Sequence, residues 1–361
     1  MRKLLLLLLL LCGTLHSQVV VAGYVYDETE NKPLEGAYVY IDGTTFSAST
    51  NDKGFFRLVL REKYNAPLII SFVGFETLRI EDPYQYEGKP FKAMLREDVT
   101  MLDEVVIDTK PPFTRKQMLA VFRKEFLGRS RAGTSCTIEN EDDVYLYYDQ
   151  GTNSLRARAS KPLRIKNRRL EYNVMFELKA FEVSYNYLSL DDTHMTRSFY
   201  AGTSAFNDVS KKGSADKKRK AAYVGSATHL MRTFLNDDWK EQKFTLYLDK
   251  VPTDPHECFI YADSSGYRKV TLNKQFLDDT NPVKVTGLQR KGRPVANYSK
   301  RDFIILRDMD TRTQTTLNFY RDTFYIDKNG LFWPVDAFLS QGYMGSQKAG
   351  DLLPADYEYT P

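Results

Sequence analysis

The segment 19–60 reads VVVAGYVYDETENKPLEGAYVYIDGTTFSASTNDKGFFRLVL, and its short apolar runs alternate with turn residues. Asp, Asn, Gly and Pro separate the runs, as in Asn51-Asp52-Lys53-Gly54 before Phe55. Further apolar runs follow at 68–73, 75–80 and 90–95. Strands of this length and spacing are typical of an all-β sandwich. The sequence therefore predicts a seven-strand β-sandwich over residues 18–96.

The chain opens with the pattern of a secretory leader. Arg2 and Lys3 precede eight leucines at 4–11, and Ser17 stands before the polar Gln18. The apolar run is too short for a transmembrane helix, which needs about 20 residues, and the pattern predicts a signal peptide over residues 1–17. A lipoprotein anchor on Cys12 is the alternative, but Leu11 stands where a small residue is usual, so we expect Cys12 to leave with the leader.

The composition favours strands, and the charge balance disfavours two classes of partner. Aromatic residues make up 13% of the chain through 24 Tyr and 22 Phe, which fit half-buried strands. Without Arg2 and Lys3, 49 basic residues stand against 47 acidic ones. This near-balance gives no electrostatic case for nucleic acid or for an anionic membrane surface.

The residue types in the first domain indicate a protein family more specifically than the spacing of the strands does. The residues that carry this information are Gly23, Val25, Pro33, Leu34, Gly36, Ala37, Val39, Ser49, Thr50, Asp52, Gly54, Phe56, Ser71, Gly74 and Phe75. Their pattern resembles the carboxypeptidase-regulatory-like domain of Bacteroidetes envelope proteins, which implies a transthyretin-like sandwich without peptidase activity of its own.

A linker is predicted over residues 97–113, and it contains a short motif from Leu102 to Ile107. In outer-membrane receptors coupled to TonB, a similar segment follows the same sandwich and pairs with TonB as an added strand. Six apolar and acidic residues are a weak signal. We therefore favour a simple connecting strand over TonB-like pairing.

The sequence pattern of residues 114–361 predicts a larger α+β domain that is dominated by antiparallel strands and has two helices. Thr114 and Gln117 have the spacing of a capping box, Met118 and Phe122 lie on one apolar face, and Gly128 ends the pattern. A second helix is predicted from Ala221. Alternating strand formers occupy much of the remainder, including 144–148, 154–159, 163–165, 170–187 and 283–285.

The resemblance continues through this second domain in motifs such as FRKEFLG at 122–128 and GYMG at 342–345. The whole mature chain is similar to the Bacteroidetes carboxypeptidase-like regulatory domain-containing proteins. That family has no settled biochemical activity. The resemblance implies an architecture and an exported location, in the periplasm or at the outer membrane, without implying a mechanism.

Ser226, His229 and Arg232 are the candidate site residues, because they recur every three positions and so share one helical face. A neutral histidine beside an arginine could bind an acidic or sugar ligand, or act as a base. The alternative is that these residues form a polar helix surface that packs the helix on neighbouring strands.

Two cysteines remain in the mature chain, and a disulfide between Cys136 and Cys258 is left open. The three mature histidines stand in unrelated contexts without zinc spacing, so no metal and no cofactor are predicted. The lysine-rich run at 210–220 could bind polyanions, but a solvated loop entering a helix is the favoured interpretation.

These patterns favour a non-catalytic binding or scaffolding protein of the bacterial cell envelope. The expected partner is another envelope protein or a glycan, and neither nucleic acid nor a transmembrane span is expected. The alternative is an envelope hydrolase that uses His229 with a nucleophile or metal from a distant strand.

Overall fold

The computed structural model describes residues 18–86, 89–98, 111–248, 250–264, 266–276 and 303–359. The predicted leader, Cys12, the segment from Leu102 to Ile107 and the strand predicted at 283–285 lie outside these residues. The chain divides into two compact units. The first contains the described residues before 108 together with Thr203–Phe206, and the second contains the others.

Seven strands build the first unit, in agreement with the predicted sandwich. They form a three-stranded sheet of order β4-β1-β7 and a four-stranded sheet of order β3-β2-β5-β6. Strand β1 pairs antiparallel with β4 and parallel with β7. The strands are β1 (Val19–Asp27), β2 (Tyr38–Ile41), β3 (Ser47–Ser49), β4 (Phe55–Leu60), β5 (Leu68–Ser71), β6 (Leu78–Ile80) and β7 (Phe91–Leu95), and a 3-10 helix spans Pro83–Tyr86.

Two glycines of the opening segment are required by close backbone approach. A Cβ on Gly54, whose φ is +70°, would lie 2.4 Å from the carbonyl oxygen of Val25. A Cβ on Gly23 would lie 2.7 Å from the carbonyl oxygen of Phe91. No side chain fits at either place. The β1–β4 and β1–β7 contacts therefore depend on these glycines.

Residues Thr203–Phe206 complete the first unit from a distant part of the sequence. The backbone N–H of Gly43 donates to the carbonyl oxygen of Ser204 at 2.7 Å. The backbone N–H of Ser204 donates to Asp42 Oδ1 at 2.8 Å. Ala205 and Phe206 are buried.

The second unit contains all five α-helices of the described chain: α1 (Arg115–Leu127), α2 (Asp216–Tyr223), α3 (Ala227–Asn236), α4 (Pro255–Cys258) and α5 (Tyr343–Ser346). Helix α1 agrees with prediction: Thr114 and Gln117 form a capping box, Met118 and Phe122 are buried, and Gly128 terminates the helix.

The predicted number of helices, two, was too small. In place of one helix from Ala221, α2 ends at Tyr223 and α3 begins after Ser226. The break has a local cause, because Gly225 adopts φ +81° and Ser226 accepts a hydrogen bond as the N-cap of α3.

A six-stranded antiparallel sheet follows α1, with the order β8-β11-β12-β10-β9 and with β13 paired to β12. Strand β12 is long because it has two halves: it pairs with β11 over Tyr172 to Phe176 and with β10 over Glu182 to Ser184. The strands are β8 (Cys136–Ile138), β9 (Val144–Asp149), β10 (Ser154–Ala159), β11 (Leu163–Asn167), β12 (Tyr172–Tyr185) and β13 (Met195–Asp208).

Two further antiparallel sheets share a core rich in phenylalanine, which α3 covers with Phe234. Their orders are β15-β14-β18-β19-β22 and β16-β17-β20-β21. The strands are β14 (Phe244–Leu248), β15 (Val251–Thr253), β16 (Phe259–Ser264), β17 (Tyr267–Leu272), β18 (Phe303–Arg307), β19 (Asp310–Phe319), β20 (Thr323–Asp327), β21 (Phe332–Trp333) and β22 (Phe338–Gly342). The 3-10 helices are Gly133–Ser135, Glu141–Asp143, Asp192–His194, Lys274–Phe276 and Ala349–Asp351.

None of the helices in the described part of the chain has the length and apolar character needed to cross a membrane.

Candidate functional site

Ser226 lies at the start of α3 rather than on its side. Its Oγ accepts a hydrogen bond from the backbone N–H of His229 at 3.1 Å. This is the geometry of an N-cap residue, which satisfies one of the free N–H groups of the first helical turn. The hydroxyl is therefore engaged within the helix itself.

His229 forms hydrogen bonds through both ring nitrogens. The backbone N–H of Gly225 donates to Nδ1 at 3.0 Å, so Nδ1 carries no proton. Nε2 lies 2.9 Å from Gln242 Oε1 and must be the protonated nitrogen, because that oxygen only accepts. Gln242 donates in turn to Asp238 Oδ2 at 2.7 Å. The ring is thus a neutral link between a backbone amide and a side-chain amide.

Burial agrees with that protonation state. The residue is 1% exposed, and its ring packs between Tyr223, at 4.7 Å, and Phe244, at 4.8 Å between ring centres. Burial lowers the pKa of His229, because the charged imidazolium would lose its hydration.

Arg232 binds backbone carbonyl groups near the C-terminus. Its Nε donates to the carbonyl oxygen of Asn329 at 3.0 Å, and its Nη2 donates to that of Ala355 at 3.1 Å. Both Nη atoms also donate to the carbonyl oxygen of Tyr357 at 3.1 Å. The three predicted residues therefore contact a helix cap, a buried amide and main-chain carbonyls.

The disulfide left open by the sequence is not formed, since Cys136 and Cys258 are both free. Cys136 begins β8 in the six-stranded sheet, whereas Cys258 lies in the core between the two other sheets of the second unit. Burial raises the pKa of Cys136 to about 12 and that of Cys258 to about 11, so both thiols are protonated at neutral pH.

An open cavity of about 480 Å³ lies elsewhere in the second unit. The turn after α1 contributes Arg129 and Arg131, the β11–β12 turn contributes Arg169, and α2 contributes Lys218. We call this cavity, with its four basic side chains, the cationic pocket. Its volume falls within the range of about 300–1,000 Å³ that is usual for small-molecule sites.

Two of the four basic side chains of the cationic pocket are neutralised by neighbours. Arg129 lies 3.0 Å from Glu125 and 2.6 Å from Asp192, and Lys218 lies 3.2 Å from Glu171. By contrast, Arg131 and Arg169 make no ion pair with any carboxylate of the described residues. The pocket therefore holds two uncompensated guanidinium groups.

Arg219 fixes α2 as one wall of the pocket. Its Nε donates to the carbonyl oxygen of Leu170 at 2.8 Å, and its two Nη atoms donate to Asp208 at 2.6 and 2.7 Å. The guanidinium carbon lies 3.8 Å from the centre of the Tyr172 ring. Its hydrogen bonds lower the pKa of Asp208 to about 2. The helix is thereby held against the β11–β12 turn.

The one carboxylate that lines the pocket is that of Asp351, in the 3-10 helix Ala349–Asp351. This side chain accepts from Ser130 Oγ and, at 3.1 Å, from the backbone N–H of Lys348. Burial raises the pKa of Asp351. The segment is anchored by Asn167, whose Nδ2 donates to the carbonyl oxygen of Gly350 at 2.9 Å.

The sequence pattern did not identify the pocket arginines. Arg129 and Arg131 flank Ser130, and Arg169 follows Arg168, so two arginine-rich turns were visible in the sequence. The sequence offers two other candidate sites for anions, the lysine-rich run at 210–220 and the face with His229 and Arg232. Of these residues only Lys218 lines the pocket. Spacing alone could not show that these turns come together.

The described residues contain no cluster of His, Cys, Asp and Glu that could hold a metal ion.

The architecture defines a β-rich protein of two units, the first of them a small sandwich. Residues 21–107 match the sequence model of the CarboxypepD_reg-like domain. This segment of the chain is thus a carboxypeptidase-like regulatory domain, as the resemblance implied. No curated protein matches the chain.

Proposed function

We propose that this chain is a non-catalytic binding protein of the bacterial cell envelope and that the cationic pocket is its binding site. The observation that carries the proposal is the presence of uncompensated Arg131 and Arg169 in an open cavity of about 480 Å³. Small-molecule sites are usually concave and place a few polar groups beside apolar surface, and this pocket has that form. Another envelope protein or a glycan that bears a suitable group is the partner we expect.

The contacts of His229 argue against the alternative of a hydrolase. A general base must reach the proton that it removes, within about 3 Å or through one water molecule. Here both ring nitrogens are already hydrogen-bonded, and the ring is 1% exposed. The imidazole of His229 does not line the cationic pocket.

The envelope location rests on the leader pattern of residues 1–17 and on the carboxypeptidase-like regulatory domain. We propose export to the periplasm or the outer membrane.

The binding function is tested by retention of partners from envelope extract on the full mature chain. Ala221 is exposed on α2 and lines the pocket, so Ala221→Trp should obstruct it. Lys217 is exposed on the same helix and does not line the pocket, so Lys217→Trp is the matched control. We expect components retained by the wild type to be lost with Ala221→Trp and kept with Lys217→Trp.

Retention that is equal for the wild type and both variants would contradict a role of the pocket. Turnover of ester, glycoside or peptide substrates that disappears with His229→Asn would contradict a non-catalytic function and support the hydrolase.

A further inference from the structure

We infer that the cationic pocket selects a small molecule that carries a carboxylate or phosphate group on an apolar body. This inference deepens the proposed function and rests on it. Two features of the pocket determine the ligand class: the type of its free charges and the character of the wall beside them.

The free charges are guanidinium groups rather than ammonium groups. Guanidinium is planar and presents paired N–H donors that match the two oxygens of a carboxylate or the oxygens of a phosphate. Arg131 precedes β8 and Arg169 follows β11, and these two strands are neighbours in the sheet, so an oxyanion in the pocket can be approached from two turns. The lysine of the pocket is already held by Glu171 at 3.2 Å.

The acidic group in the pocket does not cancel this preference. Asp351 is engaged by Ser130 and by the backbone N–H of Lys348, and it belongs to the wall that Asn167 anchors. One carboxylate that already has internal donors thus stands against two guanidinium groups without ion pairs in the described chain.

Part of the remaining lining is apolar. Ala221 is exposed there, and Ala222 and Tyr343 are half-buried. Inorganic phosphate would leave this surface without a contact, whereas a ligand with a ring or a short alkyl chain would cover it. Removal of apolar surface from water is favourable, so the apolar body adds to affinity.

The test measures binding of three probes to the full mature chain by calorimetry: phenyl phosphate, benzoate and neutral benzyl alcohol. Arg131→Gln and Arg169→Gln remove the free charges one at a time, and the double variant removes both. Arg168→Gln is the matched control, because Arg168 is exposed, adjacent in sequence and outside the pocket lining.

We expect one or both anionic probes to bind the wild type at least tenfold more tightly than benzyl alcohol. Each pocket variant should weaken that binding about tenfold or more, and Arg168→Gln should change it less than twofold. Comparison of phenyl phosphate with benzoate then identifies the group, and inorganic phosphate should bind more weakly than phenyl phosphate.

The inference falls if benzyl alcohol binds as tightly as the anions, or if the double variant binds them as the wild type does. An equal loss with Arg168→Gln would overturn it as well, since that result indicates general charge attraction. If partners are still retained from extract in an Ala221-dependent manner, the proposed function stands while the oxyanion inference fails.

Discussion

At the scale of single residues, the hydrogen bonds of His229 explain why a histidine stands in an otherwise apolar place. The ring accepts from one amide N–H and donates to one amide oxygen, so both of its nitrogens are satisfied in a buried place. We therefore expect a substitution of His229 to change the stability of the fold before it changes any binding function.

We expect His229→Ala to lower the free energy of unfolding by about 1–3 kcal/mol, because the Gly225 N–H and the Gln242 oxygen lose their partner in a buried place. Chemical denaturation at pH 7 measures this change. His256→Ala is the control, since the His256 side chain is 59% exposed and pairs with Asp237 at the surface. A stable His229→Ala variant that no longer retains partners would instead make α3 the binding element.

The contribution of His229 to stability should depend on pH. Its pKa is lowered in the folded chain, so below about pH 6.5 the unfolded state binds more protons than the folded state. The contribution of His229 is therefore complete above about pH 6.5 and declines as pH falls below that value. We expect the stability difference between the wild type and His229→Ala to be smaller at pH 5 than at pH 7. A difference that grows at pH 5 would contradict the neutral assignment.

At the scale of elements, the position of α2 depends on one side chain. Arg219 is among the buried polar residues, and it joins the helix to the β11–β12 turn and to the end of β13. Gly225 and Ser226 then separate α2 from α3, so the two helices are oriented by different contacts.

We expect Arg219→Lys to destabilise the chain by about 1–3 kcal/mol, because one ammonium group cannot replace the paired bonds to Asp208 and the bond to the Leu170 carbonyl. Thermal unfolding of the full chain measures the loss. Lys217→Arg on the exposed face of α2 should stay within about 0.5 kcal/mol of the wild type. Equal stability of Arg219→Lys and the wild type would show that α2 is held by its apolar contacts alone.

At the scale of the whole molecule, the first unit is a sandwich whose seven strands lie within residues 19–95, and four residues of β13 join it. Most of its core is therefore local in sequence.

We expect the fragment 19–108 to fold alone, with a circular dichroism spectrum of β type. Its unfolding midpoint should be lower than that of the first unit in the full chain, because the fragment lacks the hydrogen bonds of Ser204 with Asp42 and Gly43. The fragment with Val25→Asp is the control, and it should not fold, since Val25 is fully buried. A disordered wild-type fragment would show that the distant segment is essential.

We also expect the mature protein to begin at Gln18 and to carry no lipid, because Ser17 precedes Gln18 and Leu11 precedes Cys12. Mass spectrometry of the N-terminus in a bacterial host checks this. A lipid on Cys12 would contradict it and would place the chain on a membrane anchor.

The sequence by itself determined the first sandwich and the first helix, because the signals involved are local. Apolar runs separated by turn residues, and a capping box before an apolar stripe, act within a few residues of one another. Strand β13 escaped prediction because Met195–Asp208 has no alternation of period two: residues 195–201 are half-buried or exposed, and residues 203–206 are all buried.

Only the tertiary structure decided which partners the candidate residues bind and where the pocket lies. Ser226, His229 and Arg232 share a spacing, but His229 and Arg232 bind partners as distant as Gln242, Asn329 and Tyr357. The cationic pocket joins segments near 130, 169, 218 and 343–351. Burial, pKa and pairing depend on which distant segments meet in space, and a periodic pattern along the chain carries no information on that.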